Sequence, residues 1–499
     1  MAGPNRVNLS VILKVTGMLL VIEGFLMLGC LGFSAWYDPY SMIDYGLFNP
    51  KHDFLPLFVS GIITSTLGLF LWVSNRQPFR NAIGKREGYL IFTISWLSIS
   101  LFGALPYLLS GVAQNLTDAF FESMSGFTTT GATIFSNVES IPNGLLFWRA
   151  TTQWLGGMAI IVLPITVLPF LGIGGMQLFI SEAPGFSPEK LHPRITETIK
   201  KLWFIYLAIT MILTLLLVAG DMTFFDALCH AFSTVSTGGF STRNDSITGY
   251  SEYVRYVIAF FMLLAGIGST VLFFIFTGQW RKAFANEELR YYLSLMLFCI
   301  IVCTIALSFL VHDTFRPALG ESVFQVISII STTGFITADY QQWPSFLWAF
   351  FFLLMFTGAC AGSTGGGVKM VRILLLLKNS THELKRLVHP QAIIPVRLNG
   401  RYVSEDTIFN ILAFFLIYIM VFAGGSFVMS LMGLEFYTAI GTTAACIGNI
   451  GPGLGSVGPM HSYAAIPDGA KWILSFLMLI GRLEFLTVFI LFSRTFWKK

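Results

Sequence analysis

Four short segments of the chain share a pattern of threonine, glycine and small residues that could bind a cation. They are TDAFFESMSGFTTTGAT (117–133), FDALCHAFSTVSTGGFS (225–241), GESVFQVISIISTTGFI (320–336) and YTAIGTTAACIGNIGPG (437–453). Aligned on one glycine, they place Gly131, Gly239, Gly334 and Gly451 in a single column. The two residues before that glycine are Thr129 and Thr130, Thr237 and Gly238, Thr332 and Thr333, and Asn449 and Ile450. Such coincidence in four segments indicates a fourfold internal repeat.

These residue types are suited to a potassium selectivity filter. Glycine permits backbone angles that other residues avoid, so the peptide oxygens of such a loop can face one axis. Four loops of this kind can replace the hydration shell of a potassium ion. For any single loop, the alternative is that its glycine only allows close helix packing. Four loops in register favour the filter, and we predict that the residues named above form it, with potassium as the only bound metal.

Each predicted filter loop follows a segment that can form a short pore helix. Thirteen residues before the glycine stand Asp118, Asp226, Glu321 and Thr438, which are residue types suited to a helix start. We predict that the three acids cap the pore helices and add negative potential at the pore entrance. The C-terminal end of each helix carries a partial negative charge, which favours a cation in the loop that follows.

The elements that must hold these loops are membrane-spanning helices. Of the 499 residues, 55% are hydrophobic and only 11% are charged, against about 25% charged in ordinary globular proteins. Apolar runs long enough to cross a bilayer occur at 11–37, 54–75, 87–111, 145–171, 199–219, 253–278, 291–311, 345–377, 406–432 and 470–494. The chain is therefore predicted to be an all-α, polytopic membrane protein with ten spans and four pore helices. All six cysteines lie in or beside apolar runs and are interpreted as buried packing residues.

The order of runs and loops predicts four tandem helix–pore loop–helix units around a central pore, preceded by two extra spans. The predicted boundaries are 1–86 for the N-terminal extension and 87–172, 173–280, 281–378 and 379–499 for the four units. Basic residues such as Arg86 and Lys378 concentrate in alternate loops and at the C-terminus. Because basic loops stay on the cytoplasmic side, we expect both termini to be cytoplasmic.

At these loops and at two later motifs the chain resembles the Trk/Ktr/HKT superfamily of potassium transporters, with the bacterial TrkH branch as the nearest. The segments that carry the resemblance are FTTTGAT, STVSTGGFS, ISTTGF and GNIGPGLG, and it covers almost the whole chain. The resemblance implies potassium uptake across the bacterial plasma (inner) membrane through a gated, channel-like pore with pseudo-fourfold symmetry. It also implies a homodimer and a cytosolic, nucleotide-binding partner of the TrkA type. Plant members that favour sodium carry serine at the position of Gly131, so glycine at all four positions favours potassium.

A glycine-rich segment, GACAGSTGGG (358–367), interrupts the apolar run at 345–377. Each glycine costs a helix roughly 1 kcal/mol, so this segment should unwind and move easily. In the family pattern a loop at this place closes the pore below the filter. We therefore predict a gate loop of Gly358, Gly362, Ser363, Thr364, Gly365, Gly366 and Gly367, with Lys369 and Arg372 at its cytoplasmic flank. The alternative is a flexible helix kink without a gating role.

Three charged residues lie within or near apolar runs, where a charge needs water or a partner. The resemblance places Arg482 in the pore below the filter, as an electrostatic barrier that can also bind the gate loop. Glu484 is expected to pair either with Arg482 or with another helix. Arg149, between Trp148 and Trp154, is interpreted as an anchor at the membrane surface.

Two other classes of function are alternatives to a potassium pore. Broken helices also occur in secondary transporters, so a cation-coupled transporter of a small solute is the alternative function, although a fourfold repeat disfavours it. A membrane-embedded enzyme would need histidines or paired acids inside spans, and His230 alone lies deep, beside a pore helix. The sequence contains no phosphate-binding GxxxxGK[ST] motif and no catalytic arrangement. We predict that the chain is not an enzyme and carries no organic cofactor.

Overall fold

The computed structural model describes residues 7–38, 48–75, 84–171, 192–312, 314–392 and 394–498. Two long antiparallel helices come first: α1 (Leu9–Tyr37) and α2 (Phe54–Ser74). A methyl group added to Gly17 would overlap the backbone at Gly68, and one added to Gly24 would overlap the backbone at Ser65. These glycines therefore let the two helices touch backbone to backbone, as small residues do in membrane helix pairs.

The remaining described helices form four successive groups, and each group contains a helix of 12 to 16 residues that precedes a predicted filter loop. The first group contains α3 (Lys85–Gly103), α4 (Leu105–Ser110), α5 (Leu116–Phe127) and α6 (Asn143–Leu171). The second contains α7 (His192–Val218), α8 (Phe224–Val235), α9 (Glu252–Ala265) and α10 (Ser269–Phe276), and α11 (Trp280–Ala285) follows it. The third contains α12 (Glu287–Leu310), α13 (Phe315–Ile330), α14 (Ser345–Leu354) and α15 (Met370–Val388). The fourth contains α16 (Glu405–Leu431), α17 (Phe436–Gly448), α18 (Asp468–Leu483), α19 (Phe485–Phe489) and α20 (Arg494–Trp497).

A small hairpin separates the third and fourth groups. Its antiparallel strands are β1 (Arg397–Leu398) and β2 (Arg401–Tyr402). The turn residues Asn399 and Gly400 have φ of 50° and 76°, and two residues of positive φ are what the tightest hairpin turns require. The predicted boundary between the first and second units, at 172–173, lies outside the described residues.

Among the described residues, six helical segments are long and apolar enough to cross a membrane, and a bent pair makes a seventh. The pair is α9 and α10, which meet at an angle of 111°. The predicted run at 345–377 is divided between α14 and α15, with the glycine-rich segment between them. The predicted run at 470–494 is broken after Leu483, where Glu484 has a φ of 65°. The chain is thus a multi-pass helical protein, and the count of ten spans remains a prediction.

In the described part of the chain, two large apolar cores hold the groups together, and a smaller one packs the β-hairpin against α15 and α16. One large core joins the N-terminal helix pair to the first and fourth groups, through residues such as Leu145 and Leu474. The other large core joins the second and third groups, through residues such as Ile258 and Phe351. The first and last helical groups of the chain are therefore neighbours in space. All six cysteines are buried thiols, as the sequence predicts.

Candidate functional site

Four short helices end next to the predicted filter residues. They are α5, α8, α13 and α17, with 12, 12, 16 and 13 residues respectively. A helix of twelve residues is about 18 Å long at 1.5 Å per residue, whereas the hydrocarbon core of a bilayer is about 30 Å thick. Helices this short are therefore not long enough to cross a bilayer on their own.

The starts of these helices correct the prediction that acidic residues cap them. The Asn115 side chain accepts a hydrogen bond from the Asp118 amide, and the Thr223 side chain accepts one from the Asp226 amide. A capping side chain bonds the amide two or three residues ahead, so Asp118 and Asp226 lie in the first turn. Glu321 lies well inside α13. The capping role predicted for the three acids is therefore wrong.

The four loops after these helices have the same backbone conformation. Two residues before the aligned glycine, φ is positive in every loop: Thr129 51°, Thr237 54°, Thr332 60° and Asn449 51°. The aligned glycines are also left-handed: Gly131 80°, Gly239 80°, Gly334 80° and Gly451 96°. A positive φ in threonine is uncommon and costs of the order of 1–3 kcal/mol. Its recurrence at one position in four loops indicates that the surrounding structure imposes it.

One hydrogen bond recurs in each loop and holds this conformation. The amide of the residue before the aligned glycine donates to the carbonyl oxygen five residues earlier, at the end of the short helix. The four bonds are Thr130 N to Ser125 O (2.8 Å), Gly238 N to Ser233 O (2.7 Å), Thr333 N to Ser328 O (2.9 Å) and Ile450 N to Ala445 O (2.9 Å). The loops are therefore structural copies of one another, as the aligned sequence columns predict.

The aligned glycines join the loops into a closed ring. A methyl group added to Gly131 would overlap the Gly238 carbonyl oxygen of the second loop. In the same way Gly239 faces Thr333 O, Gly334 faces Ile450 O, and Gly451 faces Thr130 O. The order of contacts runs from the first loop through the second, third and fourth and back to the first. Only glycine permits so close an approach of neighbouring backbones.

A cavity of about 250 Å³ opens next to this ring. All four aligned glycines line it, together with polar groups that include Ser241, Asn244 and His461. The sequence prediction that these glycines converge therefore agrees with their positions in the structure. The described residues that line this cavity include no Asp or Glu, so the oxygens available to an ion here are carbonyl, hydroxyl and amide oxygens.

A buried ion pair lies behind the first loop. Arg149 Nε donates to Glu122 Oε1 at 2.8 Å, and both side chains are almost fully buried. Glu122 also accepts from the Ile134 amide (2.9 Å) and the Thr133 hydroxyl (3.0 Å). The interpretation of Arg149 as a surface anchor is therefore wrong, because its partner lies on α5, where sequence spacing does not reveal it. The pair instead supports the backbone that follows Gly131.

A side-chain amide supports the second loop. Gln153 Nε2 donates to Gly238 O at 2.7 Å, and Gln153 Oε1 accepts from the Phe240 amide at 3.1 Å. Sequence reasoning did not identify Gln153. The available signal was the polar run Thr151-Thr152-Gln153 inside an otherwise apolar helix.

The predicted gate loop lies directly against the ends of the short helices. The Thr364 hydroxyl donates to Val235 O at 3.2 Å, at the end of α8. The Gly366 amide donates to the Thr332 hydroxyl at 2.7 Å. A side chain added to Gly366 would collide with Asn449 of the fourth filter loop, and one added to Gly365 would lie tightly against Thr332 of the third. The segment is largely buried, so it is a well-packed segment beside the ring of loops.

Glu288 holds both sides of this segment, and sequence reasoning did not identify it. Its Oε1 accepts hydrogen bonds from the Ala361 amide (2.7 Å) and the Val371 amide (3.0 Å). Val371 lies in the first turn of α15, where the helix dipole favours a carboxylate. Lys369, predicted at the cytoplasmic flank, donates back to the Gly365 carbonyl within the segment.

Arg482 reaches into the gate segment from α18. Its guanidinium donates to Thr364 O at 2.6 Å and to Gly156 O at 3.3 Å, and only 3% of the residue is exposed. It is thus a buried cation held by carbonyl oxygens. Glu484 pairs with Arg372 of α15 at 2.7 Å, so of the two predicted pairings the one with another helix is confirmed.

The fold and the site together define a class of protein: a multi-pass helical membrane protein with four equivalent helix–loop segments whose loops meet in a ring. The family description "TrkH: Cation transport protein" matches residues 56–499. The chain belongs to this TrkH family, and it is a transport protein rather than an enzyme. The resemblance inferred from the loop sequences is therefore confirmed.

Similar proteins share most of the chain's length. The Trk system potassium uptake protein TrkH of Salmonella typhimurium is 40% identical over 443 residues, which cover 88% of this chain and 91% of that protein. The Trk system potassium uptake protein TrkG of Escherichia coli is 35% identical over 475 residues, which cover 94% and 97% of the two chains. The crystal structure of the potassium transporter TrkH from Vibrio parahaemolyticus superposes with a TM-score of 0.88 and 33% identity, covering 98% of this chain and 100% of that chain.

Proposed function

We propose that this chain takes up potassium ions across the bacterial inner membrane through a gated, channel-like pore. The observation that supports it most directly is the cyclic contact of the four loops at Gly131, Gly239, Gly334 and Gly451. A ring of backbone carbonyls can replace the water around a potassium ion as the ion passes. The names of the relatives support potassium as the transported ion.

The selectivity filter in this proposal consists of the three residues that end at each aligned glycine. In each of these three-residue segments, φ is positive at the first and third residues and not at the second. This alternation turns successive carbonyl groups to one side. A regular strand would instead point them to opposite sides in turn. The four short helices end at the loops, and their negative C-terminal ends add to the attraction for a cation.

The gate in this proposal is the segment 358–367. Ions that pass the ring would meet this segment next, because it packs against the ends of α8 and α17 and against Thr332. Opening requires the bonds from Gly366 to Thr332 and from Arg482 to Thr364 to break. Arg482 would also repel cations while it remains beside the path.

The alternative function, a secondary transporter of a small solute, is not favoured. Such transporters are commonly built from two repeats with the solute held between them. Here the four loops are equivalent in backbone conformation and meet in one ring.

The membrane orientation and the partners are also proposed. The basic loops support a cytoplasmic location of both termini, and the resemblance adds a homodimer and a cytosolic TrkA-type, nucleotide-binding subunit. The relatives carry the words "Trk system" in their names, which supports a transporter of more than one component. Co-purification with the candidate subunit and the mass of the detergent-solubilised complex test both proposals.

Flux measurements in liposomes test the central proposal. The purified chain should carry rubidium, as a potassium substitute, in preference to sodium. The substitution Gly131→Ser should lower that preference at least about tenfold, because a side chain at Gly131 displaces the Gly238 carbonyl. A tenfold change corresponds to a free-energy difference of only about 1.4 kcal/mol. Gly424→Ser is the matched control, since a methyl group at Gly424 meets no atom within 4 Å. Equal preference in the wild type and the Gly131 variant would refute the filter.

A further inference from the structure

The second filter loop differs from the others in how it is held. Gln153, on α6 of the first group, contacts the backbone on both sides of Gly239: it donates to Gly238 O (2.7 Å) and accepts from Phe240 N (3.1 Å). Gly238 O can only accept and Phe240 N can only donate, so these two groups fix the orientation of the amide. The side chain is fully buried, which keeps water from competing for either bond.

The same place is filled by a side chain of the loop itself elsewhere in the ring. The position before the aligned glycine is Thr130 in the first loop and Thr333 in the third. The Thr130 hydroxyl bonds that of Thr128 at 2.8 Å, and the Thr333 hydroxyl bonds that of Ser331 at 2.8 Å. Both loops therefore carry an internal side-chain bond next to the aligned glycine.

The second loop lacks this internal bond. Its residue at the same position is Gly238, and a methyl group there would overlap the amide of Gln153. The hydroxyl of Ser236, which corresponds to Thr128 and Ser331, donates to Phe232 O at 2.7 Å, just as the Thr128 hydroxyl donates to Met124 O at 2.6 Å. Unlike them, Ser236 meets no hydroxyl at the position before the aligned glycine, because that residue is Gly238. A residue from the neighbouring helical group therefore occupies the space that a threonine side chain occupies in two of the other loops.

We infer that Gln153 is a positioning residue for cation discrimination, because it sets the place of the Gly238 carbonyl in the ring. This inference rests on the proposed function of the ring as a selectivity filter. The Gly238 oxygen is the atom that faces Gly131, so Gln153 fixes the junction between the first and second loops. Discrimination between potassium and sodium depends on how the carbonyl oxygens are held around the ion.

Removal of the amide leaves the Gly238 carbonyl and the Phe240 amide without this partner, and the loop can then contract around a smaller ion. Gln153→Leu keeps a similar volume and removes both bonds. It should lower the ratio of potassium to sodium permeability roughly five- to tenfold, in line with the loss of one or two neutral hydrogen bonds. Rubidium flux itself should continue, because the other three loops are unchanged.

A second pair of variants tests whether a threonine side chain at position 238 can take the place of Gln153. Gly238→Thr alone should lower the ratio, because its side chain collides with Gln153. Gly238→Thr combined with Gln153→Ala gives the second loop the Thr-Thr-Gly sequence of the first and third loops and removes the collision. The double variant should recover at least half of the lost ratio on a logarithmic scale. A purely structural role would reduce protein yield without moving the ratio.

The experiment is the reversal potential of the purified, full-length protein in planar bilayers with potassium on one side and sodium on the other. Thr151→Val is the matched control, since the Thr151 hydroxyl donates to Phe147 O within its own helix (2.8 Å). A wild-type ratio in Gln153→Leu would overturn the inference, and the proposed function would stand if Gly131→Ser still lowered the ratio. If Gly131→Ser also left the ratio unchanged, the filter itself would be refuted.

Discussion

If the segment 358–367 is the gate as proposed, its contact with Arg482 should make gating sensitive to a single substitution. The Arg482 guanidinium donates to Thr364 O at 2.6 Å inside a buried site. A hydrogen bond from a charged donor contributes about 1.5–3 kcal/mol. If this bond exists only in the closed state, Arg482→Ala should raise the ratio of open to closed channels by a factor of about 10 to 100, at about 1.4 kcal/mol for each tenfold change.

Single-channel recording in bilayers measures this ratio as open probability. Arg482→Lys keeps the positive charge but cannot reproduce the two-carbonyl contact of the guanidinium, so it separates the contact from the charge. We expect raised open probability in both variants and raised unitary conductance only in Arg482→Ala. Arg316→Ala is the control, because that arginine is on the surface with 81% of its side chain exposed. Wild-type open probability and conductance in a well-expressed Arg482→Ala protein would refute the reasoning.

Two further predictions concern buried carboxylates. Glu122→Ala leaves the Arg149 charge buried without its carboxylate, so it should lower the free energy of unfolding by about 3–5 kcal/mol, seen as a lower melting temperature in detergent. The double replacement of both residues by leucine should cost less, and an equal or greater loss would contradict the ion-pair argument. Glu288→Ala removes the acceptor that bridges Ala361 and Val371, so open probability should rise at least about tenfold. Glu288→Gln should have an intermediate open probability. An unchanged open probability in Glu288→Ala would argue against this bridge.

The sequence predicted the equivalence of the four loops because their conformation depends on local residue types. Glycine is required where neighbouring backbones touch, so glycine occurs at the same aligned position in all four segments. The broken run at 358–367 was predicted for a related reason, since glycine is unfavourable inside a helix. Both features are visible in sequence without knowledge of any distant contact.

The errors and omissions involve contacts between distant parts of the chain. Arg149 was interpreted from its tryptophan neighbours, but its partner Glu122 lies 27 residues earlier on another helix. Gln153 and Glu288 form hydrogen bonds with backbone groups 85 and 73 residues away. Every residue has a backbone, so the sequence does not show which backbone groups such side chains contact. Asp118 was taken as a cap because the residue three positions after a true cap is itself often acidic.

The contact between the fourth and first loops has a consequence for how the protein is made. Gly451 meets Thr130, and Lys471 of α18 pairs with Asp118 of α5 at 2.6 Å, across 353 positions of the chain. Contacts between such distant positions form late, because the intervening chain must first be in place. A chain that ended before the last helices would form an open arc instead of a ring, and an arc cannot surround a dehydrated ion. Such incomplete chains therefore should show no potassium-selective flux.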